Sequence, residues 1–153
     1  VPWKFDPGNL SLFEKIGGVA VFILFISLFF DWYSFGGGCV TEGTLQVCAP
    51  NITEDGLYHG YMFITLLLCL VLIAYYVAKL GWGRLPFNLP FPEAPVILAI
   101  NALNLLLVII TMLTAPDGFG LSFGAWLGLL AALAACTPSA MPYVEKAQQK
   151  TAA

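Results

Sequence analysis

Apolar and polar positions along the chain segregate into long blocks and do not alternate. Four apolar blocks stand out, at 16–30, 57–80, 94–114 and 119–141. Each approaches the roughly 20 residues that a membrane-spanning helix needs. None shows the in-out alternation of a barrel strand, and only helices and closed barrels satisfy their backbone polar groups in lipid. The pattern therefore predicts an all-α membrane protein, a single domain over 1–153 with four transmembrane helices at about 12–33, 57–80, 94–114 and 119–141. The first block follows Lys15, as a signal peptide would follow its basic residues. Bulky Phe29, Phe30 and Trp32 stand where a cleavage site needs small residues, so the segment reads as a retained helix. The chain opens at Val1 rather than Met, which leaves room for residues upstream.

Composition agrees with this reading. The 153 residues are 59% hydrophobic and 10% charged, whereas soluble domains carry about 25% charged residues. So few charges cannot cover a water-facing surface, and the surface itself must be apolar. The placement of the charges adds an orientation. Lys4, Lys15, Lys79, Arg84, Lys146 and Lys150 all lie before the first helix, between the second and third, or after the fourth. The positive-inside rule then puts both termini and the second loop in the cytoplasm of a plasma membrane. The first loop and the Pro116-Asp117-Gly118 turn face outside and hold Asp31, Glu42, Glu54, Asp55 and Asp117 without a base.

The first loop, "DWYSFGGGCVTEGTLQVCAPNITEDG", carries Cys39 and Cys48. An outer compartment permits disulfides. A structural disulfide between these two is the favoured reading over free thiols, and over a metal site that would need further ligands. Cys69 and Cys136 fall inside helices and read as small apolar packing residues. The sequence "NIT" at Asn51 is a glycosylation acceptor only in a eukaryotic secretory pathway.

Other positions bear on chemistry. Asn101, Asn104 and Thr111 share one face of the third helix, and polar groups in lipid must be paired. Interhelical hydrogen bonding is the favoured reading, against a polar pocket or conduction path, because no ionisable residue sits mid-helix. His59, the single histidine, is flanked by Tyr58 and Tyr61 and reads as an interfacial side chain bonded to water or Asp55; one His cannot ligate haem twice. Quinone-linked disulfide-forming enzymes share four helices and outer cysteines, but they act through a C-x-x-C pair that this chain lacks. "FGGGC" lacks the Lys and the strand–helix frame of a phosphate loop. No catalytic residue, cofactor, metal or nucleic acid is expected.

Small residues predict close helix contacts. Gly120, Gly124, Gly128 and Ala132 recur every four positions in the fourth block, and Gly17 and Gly18 notch the first. Packing within one bundle is favoured over a seam with a partner. Ser11 and Glu14 have capping-box spacing. The loop "GWGRLPFNLPFPEAP" has four prolines, cannot be helical throughout, and suits the inner membrane surface.

Two resemblances follow from quoted residues. "LSLFEKIGGVAVFILFISLFFDWYSF", with Glu14 to Gly18 and Trp32 to Phe35, resembles the first helix of a family of small actinobacterial four-helix membrane proteins of unknown function. Asp31 stands where that family has proline. "RLPFNLPFPEAP" and "GLSFGAWLGLLAALAA" are similar to the family as well. The resemblance implies a plasma-membrane protein crossing four times and lends it no activity. Trp32 followed by Cys39 and Cys48 is similar in topology to the claudin signature, with "GGGC" in place of its usual residues and short outer strands expected. The expected function is a non-catalytic accessory or scaffolding subunit that meets membrane lipids and other integral membrane subunits. The competing expectation is a small transport or lipid-binding protein that uses the Asn101/Asn104 face.

Overall fold

The computed structural model describes residues 2–35, 39–48, 52–85, 88 and 90–152. Four helices dominate: α1 Leu12–Ser27, α2 Met62–Trp82, α3 Glu93–Leu113 and α4 Phe123–Ala152. The last three are long and apolar enough to cross a membrane. A single turn of 3-10 helix, Pro7–Asn9, precedes α1.

The protein is mostly helical rather than all-α, because the loop between α1 and α2 folds as sheet. Strands β1 Asp31–Phe35, β2 Cys39–Glu42, β3 Leu45–Cys48 and β4 Ile52–Asp55 lie between α1 and α2, and β5 Gly120–Leu121 precedes α4. β1 runs antiparallel between β4 and β5, while β2 and β3 form a separate hairpin. Helix α1 therefore ends at Ser27, short of the expected 33. Trp32, Tyr33 and Phe35 suit strands as well as apolar helices, so hydropathy alone does not separate the two states. A tightened turn, with Phe30 N–H donating to the Ser27 carbonyl at 3.1 Å, closes the helix. In the hairpin, Gly43 takes a left-handed φ of 61°, which two-residue turns matched to strand twist require. Cys39 pairs with Cys48 in register and a disulfide joins them.

At the other end, α4 runs through Pro138 and Pro142 to Ala152, well past the expected 141. Pro138 and Pro142 offer no N–H to the preceding turn. The Thr137 and Ser139 hydroxyls bond the Leu133 and Ala135 carbonyls nearby. Half of the capping box at α1 forms: Glu14 N–H donates to Ser11 Oγ at 3.2 Å, while Glu14 Oε1 accepts from the Ser11 hydroxyl at 3.3 Å in place of the Ser11 N–H.

The core is built of small residues facing large ones. Gly17, Ala20, Val21, Leu24 and Ser27 line one buried face of α1 at helical spacing. Ala125, Ala131, Ala132 and Ala135 of α4 are buried with them. The N-terminal segment seals the end of α2, where helix carbonyls lack partners of their own. Trp3 Nε1 donates to the Val77 carbonyl, Asn9 Nδ2 to that of Leu80, and Lys4 N–H to that of Gly81. Outward-facing side chains are largely apolar on every helix, among them Phe22, Phe29, Leu67, Val71, Leu106 and Leu130. Three expectations fall outside the described residues: the Asn51 acceptor, the glycines at 36–38, and Pro86, Phe87 and Leu89 of the proline-rich loop.

Candidate functional site

The expected small-residue stripe divides between two elements. Gly120 lies in β5 opposite Ser34, so it is not part of the helical row. Gly124 and Gly128 face the indole of Trp32. A Cβ at Gly128 would lie 2.6 Å from Trp32 Cζ2, and one at Gly124 would lie 2.8 Å from Trp32 Cδ1. Gly56 completes the socket, 2.7 Å from the same ring by the same measure. Trp32 is fully buried, and its Nε1 donates to the Ser27 carbonyl at 2.6 Å. Ala132 is buried on the same helix. Gly17 and Gly18 of α1 receive Tyr76 of α2, whose hydroxyl would be 2.8 Å from a Cβ at Gly17.

Asn101, Asn104 and Thr111 are all buried on α3. Asn101 Nδ2 donates to Ser139 Oγ of α4 at 2.7 Å. Asn104 Nδ2 reaches Cys69 Sγ of α2 at 3.9 Å, and its Oδ1 has no hydrogen-bond partner among the described residues. Thr111 Oγ1 donates to the Tyr61 hydroxyl at 3.4 Å, and the Thr111 carbonyl accepts from the Tyr33 hydroxyl. His59 is bonded to Thr114 rather than to Asp55: its Nε2 lies 3.0 Å from the Thr114 carbonyl. Asp55 Oδ1 instead accepts from the Leu57 N–H at 3.0 Å. His59 stacks on Tyr61 with ring centres 5.1 Å apart. Asn101 and Asn104 thus tie α3 to α4 and α2, while Thr111 and Thr114 tie it to Tyr33 of β1 and to His59 and Tyr61 just before α2.

The opposite end of the bundle is open. A cavity of about 370 Å³, apolar over most of its wall but the more polar of two neighbouring ones at this end, lies where α1, α2, α3 and α4 meet. Its walls carry Glu14, Tyr75, Lys79, Glu93, Ser139 and Glu145. Lys79 Nζ pairs with Glu14 Oε2 at 2.7 Å, and the Tyr75 hydroxyl donates to Glu93 Oε2 at 2.9 Å. A second cavity, of about 480 Å³ and almost wholly apolar, runs between α2 and α3 past Val71, Ala74, Ala78, Trp82 and Ile100. The two share Tyr75, Glu93 and Ile97 as a common wall. Both volumes lie in the range of roughly 300–1,000 Å³ usual for small-molecule sites. Asn101 reaches the polar cavity through Ser139.

Sequence reasoning did not single out this site. Glu14 reads from the chain as a cap, Lys79 as a topology signal and Tyr75 as one more apolar residue. The usable signal is a shared depth: Glu14 and Glu93 stand in the first turns of α1 and α3 and Lys79 in the last turn of α2, which alternating helix directions bring to one end of the bundle. Among the described residues no three His, Cys, Asp or Glu side chains converge as a metal centre requires. The arrangement offers carboxylate acceptors beside an apolar slot, which suits binding of an amphiphile. No family model, no curated protein and no solved structure matches the chain.

Proposed function

We propose that the protein is an integral plasma-membrane protein that crosses the bilayer four times, and that it binds a bilayer amphiphile without performing a reaction on it. The observation that carries the reading is the shared wall between a polar and an apolar cavity. A headgroup and a tail need such a pair of environments side by side. Trp3 and Trp82 lie at the same end, with Lys4, Lys15, Lys79 and Arg84, as residues at a membrane interface do. The basic residues favour a cytoplasmic position for this end and for both termini. Helix α1, at 16 residues, is about 24 Å long, so crossing draws on the chain from Leu28 into β1 or on local bilayer thinning.

The test is purification of the full chain in mild detergent with mass spectrometry of the retained lipid. Ala78→Trp, placed in the apolar cavity, is expected to abolish retention while the helical content is kept. Undiminished retention would refute the site. Orientation has its own check: in a background lacking native cysteines, Glu42→Cys is expected to react with an impermeant reagent in intact cells and Lys146→Cys is not. The reverse labelling would invert the topology.

A second reading, an accessory subunit of a larger membrane complex, is favoured by one feature of α1. Val19, Phe22 and Ile26 are exposed at spacings of three and four, the spacing of a helix–helix seam, and Phe29 continues the exposed row in the turn after the helix. Co-purification of another integral subunit, lost in Phe22→Ser/Phe29→Ser, would support it. The glycine row does not add to that reading, because Trp32 of the same chain occupies it.

A further inference from the structure

We infer that the amphiphile is a bilayer lipid with an ammonium-bearing headgroup, held in the polar cavity while an acyl chain lies in the α2–α3 slot. The inference rests on the lipid-binding reading above. Hydrogen-bonding capacity around the polar cavity is unevenly spent. Its cation, Lys79, is committed to Glu14 at 2.7 Å. Two of its neutral donors are committed as well, and the carboxylate acceptors outnumber the Tyr76 hydroxyl and the further Lys79 N–H groups that are left. The Tyr75 hydroxyl donates to Glu93 Oε2, and Ser139 Oγ donates to the Ala135 carbonyl while accepting from Asn101.

What remains is acceptor capacity. Glu93 keeps a second carboxylate oxygen, and Glu145 on α4 brings another carboxylate to the rim. Three carboxylates against one ammonium disfavour a phosphate or carboxylate that lacks its own cation. A ligand ammonium supplies further donors and the opposite charge, in a place where Lys79 Nζ already lies 6.0 Å from the centre of the Tyr75 ring. Geometry sets the tail. Tyr75, Glu93 and Ile97 belong to both cavities, so a head seated on Glu93 leaves its chain beside Ile97. From there the chain follows Val71, Ala74 and Ile100 along the helices.

The experiment uses the full chain, delipidated in detergent and supplied separately with phosphatidylethanolamine, phosphatidylcholine, phosphatidylglycerol or free ethanolamine. Thermal unfolding and native mass spectrometry are the readouts. Phosphatidylethanolamine is expected to raise the unfolding temperature most and to stay bound, phosphatidylcholine, whose quaternary nitrogen brings charge but no N–H, to do so less, and phosphatidylglycerol not at all. Glu93→Gln is expected to weaken retention about tenfold, the effect of losing one charge-assisted hydrogen bond. Glu145→Gln, at an exposed site that leaves packing alone, is expected to weaken it less. Equal or tighter binding of phosphatidylglycerol, or retention indifferent to both variants, overturns the headgroup inference and leaves lipid binding standing. A full response to ethanolamine alone overturns the amphiphile and makes this a soluble-amine site. Retention of no lipid at all removes the lipid-binding reading itself.

Discussion

The two ends of the helix bundle solve opposite problems. At the disulfide-bearing end, large aromatic rings meet glycines. Trp32 fills a socket made by Gly56, Gly124 and Gly128, and Tyr33 reaches across to the Thr111 carbonyl. At the basic end rings also meet glycines, Tyr76 at Gly17 and Gly18 and Trp3 at Gly81, but charged and hydroxyl side chains meet one another beside them, prolines interrupt the hydrogen bonding of α4, and cavities remain. Ring against glycine closes space because a flat indole and a bare backbone approach within van der Waals distance. Paired charges hold helices apart, since each needs room for its partner. The comparison teaches that rigidity and binding capacity are placed at different depths of one bundle. Stability is expected to be concentrated in the aromatic end.

The strongest way to break the comparison is to remove the indole. Trp32→Ala is expected to cost about 3–5 kcal/mol, as burying and then losing a large aromatic does. Thermal unfolding in detergent measures it. Lipid retention at the far end, assayed below the lowered unfolding temperature, is expected to persist. A variant that kept its stability would mean that the glycine socket is not the main clamp.

Overpacking the socket from the other side comes next. Gly128→Leu and Gly124→Leu each drive side-chain atoms into Trp32, and such insertions cost about 1–3 kcal/mol or more. Isolated protein is expected to lose thermal stability in both, because the row is filled from within the chain. If both variants unfolded like the parent and only a co-purifying partner were lost, the row would be an intermolecular seam.

How much of this contrast was legible in the chain depends on what hydropathy measures. Runs of apolar residues report the solvent a segment requires, so α2 and α3 were placed within five residues at either end. The spacing of Asn101, Asn104 and Thr111 put them on one face, and burial in the fold agrees. The Cys39–Cys48 bridge followed from compartment and pairing logic. The strands did not follow. Trp32, Tyr33 and Phe35 continue an apolar run, and only their contacts with β4, β5 and the glycines select an extended form. Gly120 shared the period of the α4 row but belongs to β5, since periodicity does not mark where a helix begins. The cavities were least visible, because they are defined by two and four helices failing to meet. The N-terminal segment that caps α2 was hidden for a related reason: its partners are backbone carbonyls, which every residue has.

Paired deletions of single polar contacts sharpen the comparison at lower cost. Tyr33→Phe leaves the ring and removes the donor to Thr111, a buried hydrogen bond whose net contribution is about 0.5–1.5 kcal/mol. Lys79→Met removes one partner of a half-exposed ion pair, a type of pair that contributes at most about 1 kcal/mol after solvent screening. The first is expected to lower the unfolding temperature more than the second. The second is expected to change lipid retention more, because it frees Glu14 in the polar cavity. The opposite ranking in either measurement would erase the division between a stabilising end and a binding end.

The smallest expected effect on the bundle comes from the disulfide. Cys39 and Cys48 clasp a hairpin whose eight strand residues are all exposed. Closing a loop of this size restricts the unfolded chain by roughly 2–3 kcal/mol, but that free energy acts on the hairpin, which shares no sheet with β1, β4 and β5. Cys39→Ser/Cys48→Ser is therefore expected to leave helix unfolding and membrane insertion close to the parent. Protease sensitivity between β1 and β4 is expected to rise severalfold. A large drop in helix unfolding temperature would show that the hairpin braces the Trp32 socket, and the aromatic end would then extend through the whole outer loop.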